Sequence, residues 1–428
     1  MTAFLSIGAM FGLLGAGVPI AFTLIAVGVM GLYIVGGTGL VMGILDTTPL
    51  SAVSSYELIT IPMFILMAEF IVMAGIADDL FRAATVWTGR VRGGLAIATA
   101  LVGAMFGAVC GSSAAAAATL SSTTIPAMEK QGYEPKFTCG VVAISGTLAM
   151  LIPPSVLVLI YAIIAEADIG KLLVATIMPA VLITSTIILT ILFLIWRDPS
   201  LAPAGKATTF REKLASLGIA GPMVLLIFCV MGVIYAGIAT PTEASGLGAA
   251  GAFLVALAYR RLTWSLLVRA LVDTAGTTVM ILMIILGSKV FGYFFTITQV
   301  TQGLVEFVGG LDVPPYVILI FVLGLYFVLG ALMDELAMLI LTVPVVLPVM
   351  VSLGYDPIFF GVIVILMCEI GLLLPPLGLI SFIVAKTAKR PVSQVFAGIW
   401  PHIWAHLLAV ALMCFFPQII LWLPSMME

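Results

Sequence analysis

Charge is what this 428-residue chain has least of: Asp, Glu, Lys and Arg together make 9% of it, against 63% hydrophobic residues. That balance excludes a soluble globular domain, in which about a quarter of residues are charged. Histidine is nearly missing as well. Only His402 and His406 are present, so an intramembrane enzyme would lack the Ser–His pair or metal triad it needs. Their i, i+4 spacing is that of a metal pair, but no third ligand stands near, and they read as interfacial or packing residues. Cys110, Cys139, Cys229, Cys368 and Cys414 stand singly without a CxxC pair, as small apolar fillers and neither a disulfide framework nor a metal site. No basic tract or nucleic-acid motif occurs. No Lys or Arg precedes Arg82, so the positive segment of a secretory signal is missing and the first apolar stretch is expected to stay as a span.

What is present is apolar sequence in long runs. Residues 178–196 and 219–238 contain no charge, which suits helices crossing ~30 Å of hydrocarbon and not barrel strands. The expected fold is an all-α polytopic membrane protein in a lipid bilayer. Its prolines show how it was built: Pro19, Pro126, Pro135, Pro153, Pro154 and Pro179 recur 222 residues later as Pro241, Pro348, Pro357, Pro375, Pro376 and Pro401. The surrounding text agrees, since IPAMEKQGYEPKF (125–137) lies over LPVMVSLGYDPIF (347–359). The chain is two copies of one unit.

The polar stretch 197–213 joins the copies, 1–196 and 214–428. Its Arg197, Lys206, Arg211 and Lys213 place it on the cytoplasmic side by the positive-inside rule. Basic segments 77–93, 129–136 and 259–269 should share that side, whereas 299–315 and 351–358, the counterparts of the first two, hold no Lys or Arg. The copies are therefore expected to face opposite ways, as inverted-topology repeats. Between 93 and 129 the chain leaves the cytoplasmic side and returns in roughly 35 residues, too few for two crossings and a turn. A re-entrant hairpin is predicted at about 94–128, with a second at about 316–350. Each repeat then has about five crossings and one hairpin, with both termini on the non-cytoplasmic face. Lys386, Lys389 and Arg390 are assigned to that outer face too. Segment 78–93 mixes Phe81, Val86 and Trp87 with three arginines, in the manner of an interfacial helix or a short loop.

Pro153-Pro154 lies inside the apolar run 137–165 and Pro375-Pro376 inside 358–385. Each pair predicts a broken helix whose freed carbonyls can meet a cation, and a duplicated break in matching positions points to a transporter's binding site. Ahead of the breaks stand Ser145-Gly146-Thr147 and Cys368-Glu369; at the hairpin tips stand Gly111-Ser112-Ser113 and Met333-Asp334-Glu335. Hydroxyls, carbonyls and carboxylates suit sodium, and half-helix N–H ends suit an anionic substrate. Ser112, Ser113, Thr147, Pro154 and Pro376 are the candidates for touching that substrate. Intramembrane Asp334 and Glu369 are costly without a task or a partner. Lys289 is expected to snorkel or to pair with Glu69 or Glu369.

The strings GSSAAAAATLSSTTIPAMEKQGYEPKFTCGVVAISGTLAMLIPPS (111–155), MDELAMLILTVPVVLPVMVSLGYDP (333–357) and EIGLLLPPLG (369–378) closely resemble the large membrane subunit of tripartite ATP-independent periplasmic (TRAP) transporters, the DctM-like family. The resemblance covers essentially the whole chain. It implies a bacterial inner-membrane transporter importing organic acids, such as C4-dicarboxylates, sialic acid or other carboxylates, together with sodium ions. It also implies a periplasmic substrate-binding protein, a small four-helix membrane subunit, and hairpins and broken helices that move as an elevator. Carried over by motif, sodium ligands would come from Ser112, Ser113, Ser145, Gly146, Thr147 and Ser155, with Asp334, Glu369 and the backbone before Pro375. The sequence departs from the family pattern at Glu335, a charge where a proline or small residue usually follows the aspartate. A single-component sodium/dicarboxylate carrier or sodium/proton antiporter of related architecture is the alternative; an uncoupled channel has no need of inverted repeats with paired hairpins.

Overall fold

The computed structural model describes residues 2–73, 75–203, 205 and 209–427. The described residues form helices, turns and bends, with no strand. Among the described residues, six helices are long and apolar enough to span a bilayer, and Pro135–Leu151 with Val156–Ile164, bent by 44° at the Pro-Pro break, is a seventh when that pair is counted as one span.

Helix ends recur at the interval of the prolines. The helix Ser113–Lys130 is followed 222 residues later by Glu335–Ser352, residue for residue at both ends. Pro135 and Pro357 each open a helix, where their missing N–H costs nothing, and each follows an acidic N-cap, Glu134 or Asp356. Even an irregularity repeats. The helix Ile20–Val53 is interrupted at Gly37, which adopts φ 69° and ψ −165°, and the counterpart of Gly37 is Tyr259, where Pro241–Ala258 gives way to a turn before Trp264–Ile297.

Two apolar cores divide the interior. The smaller is centred on the long helices Ile20–Val53 and Trp264–Ile297, with Leu24, Val27, Ile285 and Phe291 buried between them. Their close approach needs glycine: a Cβ on Gly31 would come within 2.6 Å of the Phe294 ring. The larger core runs through the two helical hairpins and the two broken helices.

The basic segments meet at one face. Arg261 is paired with buried Asp79 at 2.8 Å, Lys213 lies 5.5 Å over the Trp87 ring, and the Glu134 N–H donates to the Leu201 carbonyl at 3.0 Å. These contacts join 77–93, 129–136, 197–213 and 259–269; Lys206 lies outside the described residues. Within 77–93 the chain forms a helix, Ile76–Thr88, with Leu80, Phe81 and Ala84 buried and Arg82 in contact with Asp79.

One expectation is corrected and one pair of alternatives is decided. Arg390 pairs with Glu129 at 2.9 Å, so 386–390 shares the face of 129–136 and does not lie opposite it. Both halves of the second broken helix, Pro357–Gly371 and Leu379–Ala388, separate 390 from the 351–358 side, and that traverse carries the chain over. Lys289 is exposed and forms no ion pair within 4 Å among the described residues. Its ammonium donates to the Ser51 carbonyl at 3.4 Å, so it reaches outward and meets neither Glu69 nor Glu369.

Candidate functional site

The first hairpin consists of Gly94–Cys110 and Ser113–Lys130. Its turn needs Gly111, which has φ +58° and faces the first break: a Cβ there would lie 3.3 Å from Val156 Cγ2 and 3.7 Å from the Pro154 carbonyl. Ser112 caps the second arm by accepting the Ala115 N–H at 3.4 Å and remains exposed. Ser113 is fully buried and its Oγ has no hydrogen-bond partner among the described residues. The alanine run after it has a packing reason. Gly146 lies so close that a Cβ would come within 2.8 Å of Ala117, and a Cβ on Gly107 would come within 2.8 Å of the Ala149 Cα.

Behind this hairpin, the polar residues of Pro135–Leu151 turn back on their own helix. Ser145 donates to the Val141 carbonyl at 2.7 Å and Thr147 to the Ile144 carbonyl at 2.9 Å. Each hydroxyl has used its proton and keeps oxygen lone pairs, the part a cation would use. Pro154 is buried. Ser155, also buried, donates to the Met150 carbonyl freed by the break and accepts the Val158 N–H at 3.5 Å. One side chain thus serves both sides of the interruption.

The second hairpin, Pro315–Gly330 and Glu335–Ser352, is built to the same plan with other chemistry. Asp334 takes the N-cap and accepts the Leu336 N–H at 3.0 Å. It also lines a cavity of about 660 Å³ bounded by the Gly15–Pro19 turn, Met280, Ile284 and Leu377. Glu335 has one carboxylate oxygen buried without a partner. The Leu377 N–H donates to the Ala331 carbonyl at 3.2 Å, which ties the hairpin turn to the second break as Gly111 is held to the first. Pro375 and Pro376 are exposed, unlike their buried counterparts. Both Pro-Pro peptide bonds are cis. Glu369 is 1% exposed, and neither of its oxygens has a partner among the described residues.

The candidates therefore form two groups. Ser112, Ser113, Ser145, Gly146, Thr147, Pro154 and Ser155 surround the first junction; Asp334 and Pro376 flank the second, with Glu369 about a turn and a half before its break. The groups are joined crosswise: the second arm of the first hairpin packs on Leu379–Ala388, and the second arm of the second hairpin packs on Val156–Ile164. Tyr161 adds a link, its hydroxyl donating to the Pro357 carbonyl at 2.7 Å. His402 and His406 are buried in Val392–Phe415 and are not interfacial. No group of three His, Cys, Asp or Glu residues suited to a metal occurs among the described residues.

Sequence reasoning missed Ser381. Buried, it donates to the Leu373 carbonyl at 2.8 Å and serves the second break as Ser155 serves the first. Its equivalent at the 222-residue interval is Leu159, so the repeat could not reveal it; a lone hydroxyl a turn after a Pro-Pro pair was the available signal.

Known proteins resemble this arrangement along its whole length. Residues 7–419 match the family model "Tripartite ATP-independent periplasmic transporter, DctM component". The C4-dicarboxylate TRAP transporter large permease protein DctM of Pseudomonas aeruginosa is 33% identical, with 86% of each chain covered. The sialic acid TRAP transporter large permease protein SiaM of Vibrio cholerae is 30% identical over 98% of each, and the ectoine TRAP transporter large permease protein TeaC of Halomonas elongata 30% over 97% of each. Among solved structures, the YdaH transporter of Alcanivorax borkumensis shares the fold, with a TM-score of 0.62 at 16% identity, covering 89% of this chain and 90% of that one. Taking in both hairpins and both breaks, the family match makes this chain a member of the DctM component, the large permease, of the TRAP transporters.

Proposed function

We propose that this chain is the membrane permease through which an organic acid, of the kind represented by C4-dicarboxylates, sialic acid or ectoine, enters a bacterium across the inner membrane together with sodium. The observation that carries this reading is the crosswise seating of each hairpin on the other copy's broken helix, with the unpartnered Ser113 oxygen at one junction and Asp334 at the other. Serine and threonine oxygens, freed carbonyls and a carboxylate form a hard-oxygen donor set that suits a sodium ion. Ser113, Ser145, Thr147 and Ser155, with the backbone at Gly146, would serve one ion; Asp334 and the carbonyls before Pro375 would serve another. Exposed Ser112 and Pro376, with Thr147 and Pro154 behind them, are assigned to the substrate.

The copies, 1–196 and 214–428, are read as inverted repeats joined by 197–213. Hairpins and broken helices move as an elevator against the body built on Ile20–Val53 and Trp264–Ile297. A periplasmic binding protein delivers the substrate and a small membrane subunit braces the body. The permease itself makes and breaks no covalent bond.

The test is uptake into proteoliposomes holding the permease, its small subunit and its binding protein. Uptake is expected only with an inward sodium gradient; equal uptake with choline in place of sodium refutes the coupling. Full uptake without the small subunit and binding protein would favour a single-component carrier.

A further inference from the structure

A second cavity lies away from the polar groups of the hairpin tips. It is a groove of about 540 Å³ with three helical walls: Leu101 and Met105 on the first hairpin arm, Ala180 and Ile188 on Ile177–Arg197, and Ile227 and Met231 on Phe210–Tyr235. Pro153, at the first break, also lines it. Thr184 and Ser185 supply its hydroxyls, and that of Ser185 is turned back onto the Val181 carbonyl at 2.7 Å. Val181 and Phe228 line the groove yet are 58% and 71% exposed, so it is open along one side. For helices of this composition, what lies on that side is hydrocarbon.

The depth of the groove can be read along one wall. Arg197 ends that helix in the segment that meets the basic face. From Arg197 to Ile188 the helix rises about 14 Å, and from Ile188 to Ile177 about 17 Å more. Half of a ~30 Å hydrocarbon layer is about 15 Å. The groove therefore occupies the leaflet remote from the basic face and runs for about one leaflet's depth. Lys171 stands six residues beyond Ile177, about 9 Å further out, at the level of a lipid phosphate.

We propose that the groove is a binding site for one acyl chain of a phospholipid of that leaflet, with its phosphate beside Lys171. The chain fills the seam between the first hairpin arm, the Pro153 break and Phe210–Tyr235. A fluid filler there lets apolar surfaces slide without opening a void.

The experiment uses the full chain in vesicles of phosphatidylethanolamine and phosphatidylglycerol whose acyl chains carry a photoreactive diazirine, with cross-links mapped by peptide mass spectrometry. Labelling at 181–188 and 224–231 is expected to exceed that at Leu247 and Leu254, which are 59% and 61% exposed elsewhere, by at least fivefold. Ala104 lines the groove beside Met105, and Ala104→Trp should bring the groove down to the control level without changing the control; if it does not fold, Ala180→Phe fills the same space from the opposite wall. Lys171→Ala should lower groove labelling at least twofold. Groove labelling no higher than at Leu247 and Leu254, labelling indifferent to the filling variant, or cross-links there to another subunit would each overturn the proposal.

Discussion

The two junctions share a skeleton and differ in what they do with it. At the first, Pro153 and Pro154 are buried, glycine and alanine bring helices into backbone contact, and Ser145, Thr147 and Ser155 each have a hydrogen-bond acceptor. At the second, Pro375 and Pro376 are exposed, a cavity reaches Asp334, and carboxylates stand where the first copy has hydroxyls. The first leaves the Ser113 oxygen buried without a partner among the described residues; the second leaves both oxygens of the Glu369 carboxylate so. A duplicated scaffold can thus keep its geometry while one copy presents hydroxyls and the other carboxylates.

The sharpest way to break that contrast is to crowd the first junction. Gly146→Val drives a side chain into the Ala117 backbone and should cost about 3 kcal/mol or more, with loss of monodisperse protein in detergent. The equivalent Cys368→Val should cost about 1 kcal/mol, read as a small drop in thermal midpoint. Equal effects would mean that the junctions are packed alike. Next comes charge: Asp334→Asn should raise the sodium concentration for half-maximal uptake at least tenfold, about 1.4 kcal/mol, while membrane insertion is unchanged. An unaltered sodium requirement removes Asp334 from the ion path.

Removing the hydroxyls that serve the breaks tests whether the copies solve the same problem at similar cost. Ser155→Ala and Ser381→Ala each strand a buried carbonyl and should cost about 1 kcal/mol, with Ser155 the larger because it also caps a helix. The smallest effect belongs to the ion pair between the copies. Arg390→Ala should cost less than about 1 kcal/mol, since both partners are a third exposed. Its value lies in geometry: a cysteine at position 389 should react with an impermeant thiol reagent from the same side as one at 130, and from the side opposite to one at 306.

Much of this fold could be read in the sequence because proline marks helix starts and breaks at fixed places. Pro135 and Pro357 stand at the first position of their helices, and the Pro-Pro pairs stand at the interruptions. What the pattern could not convey was partnership. For Lys289 the pattern leaves snorkelling and pairing with an acid both open, because its exposure depends on which face of Trp264–Ile297 meets Ile20–Val53, and Phe291 and Phe294 decide that. The side of 386–390 was misassigned because loop charges carry no count of how often a bent helix crosses. Of the candidate site, the hydroxyls and carboxylates were legible as residue types in matching places. Their burial was not, nor was Ser381, whose service to the second break falls outside the repeat.

The crosswise seating of the hairpins has a consequence for ancestry. The second arm of each hairpin rests on the other copy's broken helix as well as on its own, so each copy leaves part of its core to the other. A single-copy ancestor would have found that contact in a second subunit before fusion put both in one chain. Cutting the present chain within 197–213 and expressing the pieces together should therefore give two fragments that bind one another, read by co-purification.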